Sequence, residues 1–312
     1  MKIMILGGSG FVGGHLARRL SRDGHEQVVV TRHAPLARRL RIIPGLSIRQ
    51  FDPYDVDRLA LELDDFDVLI NLVGILNERG RDGSGFQRAH VDLVQGAIEA
   101  CGKAGVKRFI HMSALQAGNG ESFYLKTRGQ AEQLVRESGL DWTMFRPSTI
   151  FGPDDSFLNR FASLLTFSPM LPLARPDARF APVFVDDVVE AFARAVADRD
   201  TIGEVYELCG AETLGLKEIV DWVAQQRGQR RCVIGLPDAL GRLQGKVFDF
   251  VPGKPFSSDN FKSLQIDSVC SEDGFARLGI EPWAMREKAA EWLNPDDREQ
   301  RYSRFRTRAG RE

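Results

Sequence analysis

An apolar run, Lys2 to Leu6, passes directly into Gly7-Gly8-Ser9-Gly10-Phe11-Val12-Gly13, and from Phe11 to Arg22 the apolar residues recur with helical period. Strand, glycine turn and helix in that order limit what the chain can become. The turn has the form G-x-x-G-x-x-G. Glycines at such a place let the backbone turn tightly, approach a pyrophosphate and pack the helix on its sheet. The phosphate then meets free N–H groups at the positive end of the helix. Gly7, Ser9, Gly10, Phe11, Val12 and Gly13 are therefore expected around a pyrophosphate. The alternative is a tight turn that holds nothing.

The alternation of strand and helix continues to about residue 145. Strands are expected at Gln27–Thr31, Leu46–Gln50, Val68–Leu72, Arg108–Met112 and Trp142–Phe145, with helices at about Phe86–Lys103 and Ser122–Glu137. Strands alternating with helices imply parallel pairing. The strand cores are apolar throughout, as for strands covered on both faces. The expected fold class is α/β, a Rossmann-type doubly wound parallel sheet with a smaller, loop-rich C-terminal substrate region. Residues 1–150 form the dinucleotide-binding domain in this reading, with later segments returning to it. After Arg146 the pattern changes: Pro147, Pro153, Pro169, Pro172, Pro176 and Pro182 fall within a short span. Residues 151–298 read as a substrate or partner region with helices at Asp186–Ala197, Leu216–Gln226, Pro237–Phe248 and Pro282–Leu293 and a strand at Val205–Leu208. Residues 299–312 are basic, lack apolar period and are expected to be a disordered tail. That tail could touch an anionic membrane surface, although a solvated tail is favoured.

The end of the second strand bears on which nucleotide is bound. A carboxylate there would hold the ribose hydroxyls and select NAD. The chain has Thr31-Arg32-His33 instead, and Arg32 offers a planar fork of donors to a ribose 2′-phosphate. NADP(H) is expected ahead of NAD(H); the alternative is a solvated Arg32. Asp52, just after the third strand, is placed to bond the adenine amino group. Asn71-Leu72-Val73-Gly74 ends the fourth strand, at the carboxyl edge where open sheets bind ligands.

Composition excludes more than it specifies. Lys plus Arg is 42 against 43 for Asp plus Glu, a net charge of −1 over 312 residues. A protein that coats nucleic acid needs a basic surplus, so no nucleic-acid partner is expected. No run approaches the ~18 apolar residues of a membrane span, and the glycines interrupt any secretory signal. Membrane contact is expected to be peripheral at most. The spacing of Cys101, Cys209, Cys232 and Cys270 fits neither a disulfide framework nor a zinc site, and reduced thiols in a cytoplasmic protein are expected, peripheral attachment at the inner membrane face remaining open. The histidines are dispersed, so no metal site is expected. There is no G-x-S-x-G elbow and no P-loop lysine.

Taken with the GGSGFVG turn, Asp52 and Asn71–Gly74, the residues Ser113, Tyr124, Arg146-Pro147-Ser148-Thr149-Ile150-Phe151-Gly152-Pro153 and Val185-Asp186-Asp187-Val188 resemble the extended and atypical short-chain dehydrogenase/reductase family, the NAD-dependent epimerase/dehydratase-like group. The resemblance covers roughly residues 1–210. Within that family the chain looks most like the nucleotide-binding accessory subunit of respiratory complex I and its bacterial relatives. That narrower likeness rests on Asn71–Ile75, Arg108–Ser113, Phe151–Ala162 and Pro252–Phe256.

The resemblance implies a site made of a Tyr, a Lys four residues later on the same helix, and a Ser at the preceding strand end. The Tyr is the acid/base, the Lys supplies charge and binds the nicotinamide ribose, and the Ser orients the substrate oxygen. Here Ser113 and Tyr124 are present, but the residue four after Tyr124 is Arg128. Positions i and i+4 share a helix face, whereas Lys126 at i+2 points about 200° away. Arg128 keeps a permanent charge and can bond a ribose, but its fork is unlike an ammonium point charge. The departure affects catalysis more than binding. The resemblance also carries Pro147 and Ser148 past the nicotinamide.

Beyond them, Phe157, Leu158, Phe161, Leu164 and Leu165 form a stripe of helical period. It reads first as core, and alternatively as part of a pocket for a lipophilic molecule such as a quinone or isoprenoid. Two functions stay open: an NADPH-dependent oxidoreductase, and a catalytically weak nucleotide-binding module acting with a respiratory-chain or quinone-pathway partner.

Overall fold

The computed structural model describes residues 1–252 and 254–294, and the basic tail lies outside the described residues. A seven-stranded sheet carries the fold. Its strands are β1 (Lys2–Leu6), β2 (Glu26–Thr31), β3 (Leu46–Gln50), β4 (Val68–Asn71), β5 (Arg108–Met112), β6 (Asp141–Pro147) and β7 (Val205–Leu208). The order is β7-β6-β5-β4-β1-β2-β3, and every neighbouring pair is parallel. β7 comes from far along the chain and closes the sheet beside β6.

Side chains alternate faces along each strand. On one face Ile3, Ile5, Val29, Val68, Ile70 and Ile110 meet Leu16 and Leu20 of the Phe11–Arg22 helix and Val188, Val189 and Phe192 of the Val185–Ala197 helix. On the other, Met4, Leu6, Val28, Val30, Leu69 and Phe109 meet Leu59, Val94, Ala97, Ala131 and Val135. Both layers are almost fully buried, which explains the continuous apolar runs. β1 lies between β4 and β2, so the winding reverses there and a crevice opens at the carboxyl ends of β1 and β4.

The expected helix from Phe86 to Lys103 starts at Ser84 and contains a π turn, Gln87–Asp92, before continuing over Leu93–Ala104. The last helix is shorter than its apolar period suggested, Met285–Leu293. The Trp283 N–H donates to the Asp187 carboxylate at 2.8 Å, which holds the approach to that helix extended.

The cysteine expectation is corrected. Cys209 and Cys270 form a disulfide, with Cα atoms 5.9 Å apart across 61 residues of sequence. Cys101, buried, and Cys232, exposed, are free. The pairing depends on β7 reaching the sheet edge, where Cys209 follows its last residue and meets the 268–274 connector. Spacing along the chain carries no trace of that meeting.

Candidate functional site

One cavity of about 880 Å³ runs along the crevice, from the glycine turn to the proline-rich region. Of the residues expected at the site, Gly7, Ser9, Gly10, Phe11, Val12, Gly13, Arg32, Leu72, Val73, Gly74, Ser113, Tyr124, Arg128, Pro147 and Ser148 all lie on its wall. Asp52 does not. It is exposed, accepts the Tyr54 N–H at 3.4 Å, and leaves Pro53 and Tyr54 to face the cavity.

At the glycine turn, Gly7 has φ +79°, and a Cβ there would sit 3.0 Å from Leu72 C and Val73 N. A Cβ on Gly13 would lie 2.4 Å from Gly8 Cα. Both positions therefore exclude side chains. Gly10 caps the helix without a side-chain bond, and no acid occupies the first turn. The first-turn N–H groups have no intrahelical acceptor. An uncapped helix start under a glycine cradle suits an anion, and the residues present fit a dinucleotide pyrophosphate.

Arg32 follows β2, exposed on the wall at this end. Arg39 reaches back over the turn, its Nη2 donating to Gly10 O at 3.4 Å.

The opposite wall is built by the Phe123–Glu137 helix, capped by Ser122, whose Oγ accepts the Leu125 N–H. One face of this helix carries Tyr124, Arg128 and Glu132. Arg128 is buried, and its Nη1 donates to Met112 O at 2.9 Å and Val73 O at 3.4 Å. Its Nε has no partner, and it forms no ion pair among the described residues. Gly74 is what admits it: a Cβ there would fall 2.0 Å from the guanidinium Nη2. The Arg128 guanidinium carbon lies 5.5 Å from the centre of the Tyr124 ring.

Ser113 Oγ donates to the Glu132 carboxylate at 2.6 Å. Glu132 is buried and also takes Arg146 Nε at 2.8 Å and Nη2 at 2.5 Å, which raises the Arg146 pKa. Ser113 therefore stands on the cavity wall with its proton committed to the protein. Sequence patterning does not single out Glu132, although its i+4 spacing from Arg128 could have found it.

Two histidines that the sequence did not mark as site residues stand behind the wall. His90, in the π turn, accepts the Ile75 N–H at Nε2 and lies 2.9 Å from Thr127 Oγ1 through Nδ1. Thr127 Oγ1 donates to Phe123 O. This pattern requires neutral imidazole with its proton on Nδ1. Burial, then the Arg128 charge, then His111 push its pKa down to about 2. The His90 ring meets Tyr124 edge-on at 5.4 Å. His111 accepts the Asn71 amide at 3.2 Å and is pushed down to about 3 by burial and then Arg128. Both histidines ionise more readily in the unfolded chain, near ~6.5. Their contribution to stability is complete above that pH and is lost as pH falls below it.

Past Tyr124 the cavity wall becomes mostly apolar. The stripe from Phe157 divides: Leu158 and Leu165 are fully buried in the core, while Phe157, Phe161 and Leu164 line the cavity. Leu171, Phe180, Phe248, Leu264 and Ile266 add to this end, while Arg160, Gln244, Asn260 and Ser263 also stand on the cavity wall. Ser148 Oγ donates to Ser268 O at 2.8 Å, fixing the connector beside the disulfide. Among the described residues there is no His, Cys, Asp and Glu group that could hold a metal.

A family model described as NAD(P)H-binding matches residues 7–157. The chain is 28% identical over 300 residues to NADH dehydrogenase [ubiquinone] 1 alpha subcomplex subunit 9, mitochondrial, of Mus musculus, covering 93% of this chain and 78% of that protein. It is 31% identical over 252 residues to a ceramide reductase of Caulobacter vibrioides, covering 77% and 73%. Among solved structures, MoeE5 in complex with UDP-glucose and NAD has a TM-score of 0.75 at 20% identity, covering 96% of this chain and 100% of that one. DesIV, a dTDP-glucose 4,6-dehydratase from Streptomyces venezuelae, has a TM-score of 0.76 at 21% identity, covering 94% and 96%. These two show a shared fold. With the glycine cradle, the parallel sheet and these relatives taken together, the chain belongs to the extended short-chain dehydrogenase/reductase family, which it shares with relatives that include a complex I accessory subunit and a bacterial ceramide reductase.

Proposed function

We propose that the protein is an NADP(H)-dependent reductase of a lipophilic carbonyl. One observation carries this reading: a single cavity joins the glycine cradle, the Tyr124–Arg128 wall and an apolar compartment. The bound nicotinamide would supply the hydride to the carbonyl carbon. Tyr124 would give its phenolic proton to the carbonyl oxygen, so the product is an alcohol. Arg128, a permanent cation near that ring, would stabilise the negative charge left on the phenolic oxygen. Arg128 takes the place of the family's Lys, and Gly74 makes the space for the larger group. Ser113 would act as an acceptor or steric stop, since its proton goes to Glu132. Arg32 would hold the 2′-phosphate, and the ring of Tyr54 rather than Asp52 would border the adenine. The likeness to a ceramide reductase supports a lipid-like carbonyl substrate.

The test is NADPH oxidation with long-chain ketones and quinones. Turnover should fall by at least ~100-fold in Tyr124→Phe, in line with loss of a general acid, and rise in Arg128→Lys. NADPH affinity should change little in Tyr124→Phe. Equal rates for Tyr124→Phe and the parent protein would overturn the acid assignment.

A second reading is a nucleotide-binding module in a respiratory assembly. The bond from Ser113 to Glu132 and the likeness to the mitochondrial subunit favour it. NADP(H) that survives dialysis, with no turnover on any carbonyl, would select this reading.

A further inference from the structure

The Asp238–Phe248 helix is amphipathic in an inverted sense. Its buried positions are glycines. A Cβ on Gly241 would lie 3.0 Å from Ala174 and the Phe261 ring, and one on Gly245 would lie 3.1 Å from Ser257 O. With about 100° per residue, Leu240, Leu243 and Val247 then project away from the body. They are 51%, 55% and 53% exposed. Phe250, just past the helix, is 71% exposed. Helices of globular proteins ordinarily turn this stripe inward.

Charge is arranged around that ridge. Arg242 and Lys246 flank it on one side, and the Arg81 guanidinium stacks 3.6 Å above the Phe250 ring. None of the three forms an ion pair among the described residues. The local acids are already engaged, Asp238 by Arg175 and Asp249 by Ser258. The other flank of the same helix presents Gln244 and Phe248 to the apolar end of the cavity. The ridge is thus cationic at its border, apolar at its crest, and carried on a helix whose other flank lines the cavity.

We propose that this helix lays the protein on an anionic bilayer, with Leu240, Leu243, Val247 and Phe250 entering the acyl boundary and Arg81, Arg242 and Lys246 among the headgroups. The apolar mouth of the cavity then opens toward the lipid phase, where a lipophilic ligand is concentrated. That last consequence rests on the lipophilic-pocket reading. Attachment itself needs no turnover and is measured separately from it.

The test is co-sedimentation of the full chain with phosphatidylcholine vesicles, with and without phosphatidylglycerol. The protein should pellet with the anionic vesicles and be released by salt. Leu243→Glu with Val247→Glu should reduce that partition by roughly tenfold or more, at an unchanged melting temperature. Leu243→Gln with Val247→Gln serves as a second pair that adds no charge. Arg242→Gln with Lys246→Gln should weaken binding to anionic vesicles by roughly threefold to tenfold. Protein that stays in the supernatant would overturn the proposal, as would partition unaffected by both ridge pairs. A dimer that Leu243→Glu with Val247→Glu turns into monomers, without loss of vesicle binding, would assign the ridge to a second copy instead.

Discussion

The two ends of the cavity are built by different means. The nucleotide end uses backbone from one short stretch, Gly7 to Gly13, where the missing side chains let the loop lie against Leu72 and Val73 and the helix start lie against Gly8. The apolar end uses side chains from scattered segments, among them Phe161, Leu171, Phe248 and Ile266, and a disulfide ties down part of the connector. The first can be read from seven residues in a row. The second exists only when distant segments meet. A backbone site tolerates almost no added atom, whereas a side-chain site can change its lining and with it its ligand.

The sharpest way to break this comparison is Gly13→Val. With a Cβ already 2.4 Å from Gly8 Cα, the helix start must move, at a cost of about 3 kcal/mol or more. Affinity for both NADPH and NADH should fall by over ~100-fold in a calorimetric titration. Retained binding would show that the pyrophosphate lies elsewhere.

Cys209→Ser probes the other end. Losing a link across 61 residues should cost about 2–4 kcal/mol of stability, read as a lower denaturant midpoint. Proteolysis should begin in the 268–274 connector, while cofactor affinity changes little. A fall in NADPH affinity as large as that in Gly13→Val would mean the two ends are one cooperative unit.

The smallest effect is expected at the exposed Arg32. Arg32→Asp should weaken NADPH by roughly tenfold and leave NADH nearly unchanged, because an exposed charge pair is screened. Equal losses for both nucleotides would remove the 2′-phosphate assignment.

Much of this was legible beforehand. β1, β3, β5 and β7 lie at the bounds expected from apolar runs between turn residues, because each is buried on both faces or pinned by its neighbour. Tyr124 and Arg128 share a wall because four residues make about one helical turn. The cysteine expectation failed because the link joins a late edge strand to a later connector. Asp52, expected at the adenine, is exposed and off the cavity wall, its carboxylate accepting the Tyr54 N–H of its own turn, a local bond that strand position does not reveal. The commitment of the Ser113 proton to Glu132 needed β5 and the helix brought together. The neutral state of His90 needed the π turn that sets it between Ile75 and Thr127.

The sequence by itself determined the local physics: where the chain must be strand or helix, where only glycine fits, and which helix face carries Tyr124 and Arg128. All of these come from short-range sterics and from a periodicity of two or of about 3.6 residues. Tertiary structure decided the rest: that Gly74 makes room for a buried Arg128, that Cys209 meets Cys270, and that part of one apolar stripe lines a cavity while the remainder is core. Those outcomes depend on which surfaces come into contact, and contacts between segments remote in sequence leave no periodic signal in either of them.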